Sequence, residues 1–256
     1  MVEQAGTGPR RHGARSVGAV RAERIPGRQP FRPVRRDRRS CGLEGAGRSE
    51  LLESLFGERP VSAGTVSVRG ESFEPKNARA AIDAGVAYLP PDRKGRGLVL
   101  SMSIRGNASM VGTLARKRWM RPAVGREQDL IGKLVTQTRL RMKSPRAPVG
   151  TLSGGNQQKV SLGKWLADDK HILLLDEPTR GVDVGAKMEI HALLREVADA
   201  GAAVLVSSSE NEELLGVCDR ILVMARRRVV AEVSAGEATL GLVTRLSREG
   251  AHEPVD

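Results

Sequence analysis

The chain has 256 residues, a hydrophobic fraction of 39% and a formal net charge of +12 at pH 7. This length suits one large α/β domain or two small ones. Its two cysteines, Cys41 and Cys218, form no C-x-x-C pair, so we expect no disulfide framework or zinc site, and a reducing cytoplasm fits. No apolar run approaches the roughly 18 residues that span a bilayer, so we expect a soluble protein that can still dock on a membrane partner.

The first forty residues differ in composition from the rest. They hold eleven Arg, no Lys and three acids, and the first lysine of the chain is Lys76. Residues 1–40 show no helical or strand periodicity. Three interpretations are open, in the order in which we favour them: translation in a shifted reading frame, a disordered basic tail, and a nucleic-acid-binding arm. One permissible choice of codons for residues 26–39, read one base later, encodes a strand, a turn and an apolar strand.

The stretch GLEGAGRSE, residues 42–50, matches the phosphate-loop pattern G-x-x-x-x-G-K-[ST] except that Arg48 replaces the lysine. Glycines let backbone N–H groups approach anionic oxygens, and a helix predicted over 48–57 adds its N-terminal dipole. The alternative is a glycine-rich helix start of no special function. We predict that the nucleotide-binding residues of this loop are Gly42, Gly45, Gly47, Arg48 and Ser49, and that Ser49 also binds Mg²⁺.

Arg48 keeps the positive charge of lysine, but guanidinium is a wide planar fork whereas lysine is a compact point charge. We therefore expect nucleotide binding with slow hydrolysis at this loop. The preceding stretch, VRRDRRSC, contains four arginines, which cannot be buried in a central strand without partners. The loop is thus expected to lack the apolar strand that normally precedes it.

Further elements follow the loop in chain order. A β-excursion is predicted at GTVSVRG, and a mostly helical insertion is predicted over about 95–167. The other predicted elements are helix 77–84, strand 85–89, helix 186–200, strand 202–207, helix 211–217, strand 220–224, a strand at RVVAEVS and a terminal helix.

The stretch HILLLDEP, residues 171–178, is a short apolar run that ends in two acids. Such a run fits a buried parallel strand, and ligands bind outside the carboxyl ends of such strands. Asp176 is therefore placed to hold Mg²⁺, and Glu177 is placed to polarise an attacking water. The alternative is a strand followed by a solvated acidic turn.

The stretch LSGGNQQK, residues 152–159, predicts a helix that starts near Asn156. Hydroxyl and N–H groups of Ser153, Gly154 and Gly155 would form an anion site at its N-terminus, although an ordinary Ser/Gly helix cap is the alternative. The chain resembles ATP-binding cassettes, the nucleotide-binding subunits of ABC transporters. In that resemblance LSGGNQQK is the family's signature, and phosphate loop, signature and acidic strand occur in the family's order.

That resemblance implies an α/β fold of the P-loop NTPase class and the ABC cassette type. It implies a RecA-like core within residues 41–256, a helical subdomain at about 95–167, and ATP and Mg²⁺ as cofactors. In the family two cassettes dimerise head to tail, so each signature closes on the γ-phosphate held by its partner. The resemblance also assigns nucleotide binding to Asp183, in the D-loop that follows the acidic strand.

Finer features resemble the second of two cassettes in bacterial sugar-import ATPases of the ribose, xylose and galactose type. The stretches are GAGRSELL, YLPPDRKGRGLVLSMSI and SSSENEELLGVCDRILVM. Arg48 is typical of that subfamily, and so is Ser209, which stands at the catalytic position where most cassettes have a switch histidine. The sequence departs from the subfamily at Pro91 and Gly106, which replace acids, and it contains no first cassette.

The implied partners are a second cassette, transmembrane permease subunits and, indirectly, a periplasmic sugar-binding protein. The implied location is the cytoplasmic face of the inner membrane, as a peripheral protein. Two alternatives to a transport ATPase are an inactive truncated remnant and a non-transport cassette that acts on nucleic acid through the basic segment. Nucleic acid is the less favoured partner, because such cassettes commonly carry coiled coils or tandem cassettes.

Overall fold

The computed structural model describes residues 21–23, 39–42, 46–68, 70–114, 124–167 and 170–252. Gly45 and most of the basic segment lie outside these residues. The described strands are β1 Arg21–Glu23, β2 Arg39–Gly42, β3 Thr65–Val68, β4 Glu71–Phe73, β5 Val86–Leu89, β6 Ile172–Asp176, β7 Ala203–Ser208, β8 Arg220–Ala225 and β9 Arg228–Ser234. The described α-helices are α1 Arg48–Phe56, α2 Ala78–Asp83, α3 Ile104–Leu114, α4 Val124–Thr138, α5 Gly154–Leu166, α6 Val184–Asp199, α7 Asn211–Val217 and α8 Leu240–His252.

Six of these strands form one sheet in the order β5-β6-β7-β2-β8-β9. Its pairs are parallel except for the β8–β9 hairpin, which is antiparallel. All five residues of β6 are buried, as expected for a parallel strand covered on both faces. A second sheet, β1-β3-β4, is antiparallel. The predicted α/β class is confirmed, and the predicted helices and strands of the core agree with the structure to within about two residues.

The strand before the phosphate loop differs from the expectation. Arg39–Gly42 lies between β7 and β8 and pairs with both in parallel. A parallel ladder is built from backbone N–H and C=O groups, so four residues place Gly42 at the carboxyl edge of the sheet whatever the side chains upstream. The prediction that the loop lacks a strand is therefore wrong. Strand Arg21–Glu23 also lies in the segment for which no regular structure was expected.

The described part of the chain contains two hydrophobic clusters. The larger one surrounds the six-stranded sheet, and the smaller one lies among α3, α4 and α5, with Ile104, Leu134 and Val160 at its centre. Helix α5 contributes to both, because Trp165 packs edge-on against Phe56 in the larger cluster. No described helix is long and apolar enough to cross a membrane.

Candidate functional site

Helix α1 begins beside the carboxyl edge of the sheet with a glycine as its N-cap. Its N-cap, Gly47, has φ 92° and makes no side-chain cap bond. Glycine has no side chain that could accept from the first-turn N–H groups, and such groups at a helix start are the ones that bind anions. The β8–β9 turn contacts the start of α1, since the backbone N–H of Arg227 donates to Ala46 O over 2.9 Å. A Cβ atom at Gly47 would lie 2.9 Å from Arg227 Cα, so the close approach requires glycine.

Asp176 ends β6 and is almost fully buried. Burial raises the pKa of its carboxyl, while the neighbouring hydroxyls of Ser49 and Ser207 and the Arg48 guanidinium lower it. The Asp176 Oδ2 atom is buried without a hydrogen-bond partner. An unpartnered carboxylate oxygen beside a serine hydroxyl fits a hard divalent cation such as Mg²⁺. No group of three or more metal-binding side chains occurs in the described part, which is compatible with Mg²⁺ because it takes most ligands from phosphates and water.

Glu177 follows in a strained backbone conformation, with φ 50°. Non-glycine residues rarely adopt this region, and it is concentrated at functional sites. Its N–H donates to Ser207 O over 2.8 Å, and its Oε2 accepts from Ser209 Oγ over 3.2 Å. Burial raises the pKa of the Glu177 carboxyl, against the lowering effects of Arg48 and the Ser209 hydrogen bond.

Arg48 points inward across the strand ends and is only 7% exposed. Its Nη1 donates to Ser208 O and lies 3.7 Å from Glu177 Oε1. The sequence patterns predicted the charge of Arg48 but not this ion pair with the proposed catalytic carboxylate. The structure thus brings together Arg48, Glu177 and Ser209 at one end of the sheet.

The signature and the D-loop, residues 179–183, form a second group. Ser153 caps α5, since its Oγ accepts from Asn156 N over 3.4 Å and from Asn156 Nδ2 over 3.0 Å. The helix begins at Gly154, two residues earlier than predicted. Asp183 caps α6 by accepting from Ala186 N over 2.9 Å. A Cβ atom at Gly155 would lie 2.4 Å from Ala186 Cβ in the first turn of α6, and one at Gly154 would lie 3.1 Å from Gly181 O in the D-loop. The signature is therefore in close contact with both segments.

A buried carboxylate beneath the site was missed by the sequence patterns. Glu213 on α7 accepts hydrogen bonds from Thr179 Oγ1 over 2.6 Å and from Ser208 Oγ over 2.7 Å, and it contacts His191 Nε2. Burial raises the pKa of Glu213, but hydrogen bonds from His191, Thr179 and Ser208 outweigh it and lower the pKa to about 2. This network joins the D-loop, α6 and the end of β7. No local signal distinguishes Glu213 from its exposed neighbour Glu212.

Replacing Glu213 with Gln should lower the free energy of unfolding by about 2 kcal/mol at pH 7, because a buried charged acceptor is lost. The folded-state pKa is below the unfolded value, so this stabilisation is complete above about pH 4.5 and disappears as the pH falls toward 2. Urea unfolding of wild type and variant between pH 7 and pH 3 measures the difference. Glu212→Gln is the matched control, and a difference that does not change with pH would contradict the assignment.

Fold and site together define a P-loop nucleotide-binding protein with a signature helix. Residues 41–180 match the family model described as ABC transporter, and the chain belongs to this family. It is 46% identical over 207 residues to the ribose import ATP-binding protein RbsA 1 of Streptomyces avermitilis, a match that covers 81% of this chain and 40% of that protein.

A second relative is the putative ribose/galactose/methyl galactoside import ATP-binding protein 3 of Agrobacterium fabrum. The identity is 42% over 198 residues, which cover 77% of this chain and 40% of that protein. The chain therefore spans about two fifths of the length of these curated relatives. The solved dimeric post-hydrolysis state of the ATP-binding cassette MJ0796, bound to ADP and Pi, has a TM-score of 0.67 and 17% identity, and the match covers 86% of this chain and 97% of that one. The fold is that of an ATP-binding cassette.

Proposed function

We propose that this chain is the second cassette of a bacterial sugar-import ATPase and that it couples ATP hydrolysis to sugar uptake. The observation that carries the proposal is the convergence of a glycine-capped α1 N-terminus, an unpartnered Asp176 oxygen and a strained Glu177 at one edge of the sheet. The printed names of the two relatives, both import ATP-binding proteins for sugars, support the substrate class. Arg48 and Ser209 support the second cassette of the pair.

In this proposal, bound ATP supplies the γ-phosphoryl group and Mg²⁺ offsets its charge. Backbone N–H groups at the start of α1 hold the phosphates, and Ser49 with Asp176 would hold the ion. Glu177 accepts a hydrogen bond from the attacking water and orients it. Because Glu177 also pairs with Arg48 over 3.7 Å, its carboxylate is partly neutralised, and we infer that this local site turns over slowly.

A second cassette is the partner that the signature requires. Ser153 and its glycines lie at the start of α5, and the adjacent α6 presents Val184 and Met188 to solvent with exposures of 76% and 68%. Two strongly exposed apolar side chains about one helical turn apart, beside the predicted anion site, support a protein interface there. Permease subunits would hold the pair at the cytoplasmic face of the inner membrane, and a periplasmic sugar-binding protein would act through them.

Nucleotide binding to the chain alone tests the first part of the proposal. We expect ATP to displace a fluorescent ATP analogue only in the presence of Mg²⁺, and we expect slow phosphate release. Asp176→Asn should remove the Mg²⁺ dependence, since it removes the buried carboxylate charge, whereas Asp219→Asn on the exposed α7–β8 connection should not. If the affinity for ATP depends neither on Mg²⁺ nor on Asp176→Asn, the proposed Mg²⁺–nucleotide site is wrong.

Assembly tests the second part. Proteoliposomes are prepared that contain the permease, this chain and a second cassette whose phosphate loop has lysine. Sugar-loaded binding protein on the opposite face should stimulate phosphate release and sugar accumulation. An assembly that hydrolyses ATP without any response to sugar would contradict the transport function while leaving the ATPase intact.

A further inference from the structure

The connection that follows β5 is a tightly fixed turn. Asp92 Oδ1 accepts from Lys94 N and from Gly95 N, each over 3.0 Å, and Arg93–Gly97 forms a π-helical turn. Lys164 on α5 is buried and donates to Gly97 O. Both ends of the turn are therefore held in place, the second of them by the signature helix itself.

One side chain leaves this turn toward the D-loop. Arg93 Nη1 donates to Arg180 O over 2.6 Å, and Arg93 Nη2 donates to Gly181 O over 3.1 Å. A guanidinium presents its N–H groups in a rigid planar fork, so one side chain can satisfy two consecutive carbonyls. Lysine, a point charge on a flexible stem, could not reproduce both bonds in this geometry. The D-loop backbone is thus tied to the turn after β5.

The signature touches the same guanidinium. A Cβ atom at Gly154 would lie 3.0 Å from Arg93 Nη2 and 3.1 Å from Gly181 O. At Gly181, where φ is +67°, a Cβ atom would lie 3.5 Å from Arg93 Nη1. The absence of a side chain at Gly154 therefore makes room for Arg93, whereas the distance at Gly181 is an ordinary van der Waals contact and glycine is favoured there by its positive φ. Three segments far apart in sequence meet at this one side chain.

We propose that Arg93 is a positioning residue that holds the D-loop and the signature in one mutual arrangement. This inference rests on the proposed function, in which the signature closes on a nucleotide held by a partner cassette. The turn that carries Arg93 leads into the predicted helical insertion. The two hydrogen bonds from Arg93 therefore couple the position of the D-loop to the position of that insertion. Arg93 acts through the D-loop and signature backbone, and it leaves the phosphate loop untouched.

The variants Arg93→Met and Arg93→Lys test this role, and Lys94→Met on the exposed neighbour is the matched control. In the free chain, amide hydrogen exchange across residues 179–186 should become at least about 10-fold faster in Arg93→Met, because local opening no longer breaks two hydrogen bonds. Lys94→Met should exchange like the wild type. Arg93→Lys should fall between the two, since it retains charge but not the fork.

Steady-state ATPase of the chain assembled opposite a lysine-loop cassette gives the second measurement. Displacement of a catalytic segment by about 1 Å can cost up to about 10²-fold in rate. We expect kcat to fall about 10- to 100-fold in Arg93→Met while KM for ATP stays within about twofold, the pattern of a group needed only in the transition state. Arg93→Lys should recover part of the loss.

The outcomes separate the two levels of the proposal. If the assembly with wild-type chain does not hydrolyse ATP, the proposed function is refuted. Hydrogen exchange in the free chain still tests whether Arg93 holds the D-loop. A wild-type assembly that hydrolyses ATP, with kcat unchanged in Arg93→Met, overturns the positioning role. The positioning role is also overturned if Lys94→Met lowers kcat as much as Arg93→Met does. It is overturned as well if amide hydrogen exchange at residues 179–186 is unchanged in Arg93→Lys and Arg93→Met.

Discussion

Ser153→Arg should nearly abolish ATP hydrolysis by the chain assembled opposite a lysine-loop cassette. The γ-phosphate that turns over fastest would then lie against the hydroxyl of Ser153 and the N–H of Gly155. Losing one preorganised donor of this kind typically costs about 10²- to 10³-fold in rate. Arginine adds bulk at the proposed dimer seam, next to the contact in which a Cβ atom at Gly155 would already lie 2.4 Å from Ala186 Cβ. Steady-state phosphate release measures the loss.

Two variants control this result. Ser153→Ala removes the helix cap, which accepts from Asn156 N, together with the hydroxyl donor, but it adds no bulk. It therefore separates the loss of the hydroxyl, with a cost in stability of about 1 kcal/mol, from the steric effect of arginine. Glu177→Gln damages the local site, where Arg48 already pairs with the carboxylate, so it should cost much less than Ser153→Arg. If Glu177→Gln is the more damaging change, this chain does not act mainly by contributing its signature to the partner's site. Its own phosphate loop then hydrolyses ATP despite the arginine.

The fold was predictable where local pattern and tertiary packing agree. The run ILLLD forms β6 with every residue buried, and RVVAEVS forms β9 with the predicted bounds. Short apolar runs that end in acids leave few alternatives to a parallel strand. The four residues of β2 were not predictable in this way, because charged side chains argued against a strand that backbone pairing on both sides nevertheless forms.

The site was predictable as a set of residue types and only partly as a set of contacts. Motif spacing placed Asp176 and Glu177 at a sheet edge, but it could not show where a flexible arginine points. The Arg48–Glu177 pair and the two bonds from Arg93 join residues more than 80 positions apart. Such contacts depend on strand order and rotamer, neither of which a local pattern encodes. Glu213 is buried for the same reason, by elements that surround it only in the folded chain.

Arg48→Lys should raise ATP turnover at the chain's own phosphate loop by about 10-fold or more. Arg48 is held at the strand ends by Ser208 O and by Glu177. The compact ammonium of lysine suits the point between two phosphates, and a lysine bound there would leave Glu177 free to orient water. The loss of the buried bond to Ser208 should cost about 1 kcal/mol of stability. Phosphate release from the chain alone, at concentrations where two copies associate, measures the gain.

The double variant Arg48→Lys/Glu177→Gln tests the cause of that gain. If the freed carboxylate orients water, the double variant should return to the low rate of the wild type. Ser209→His, added to Arg48→Lys, should raise the rate further, because imidazole reaches beyond the serine hydroxyl that now bonds Glu177 Oε2 over 3.2 Å. A fall in turnover on Arg48→Lys would mean that the arginine itself contacts the phosphates, and the ion pair with Glu177 would then be a resting arrangement that nucleotide displaces.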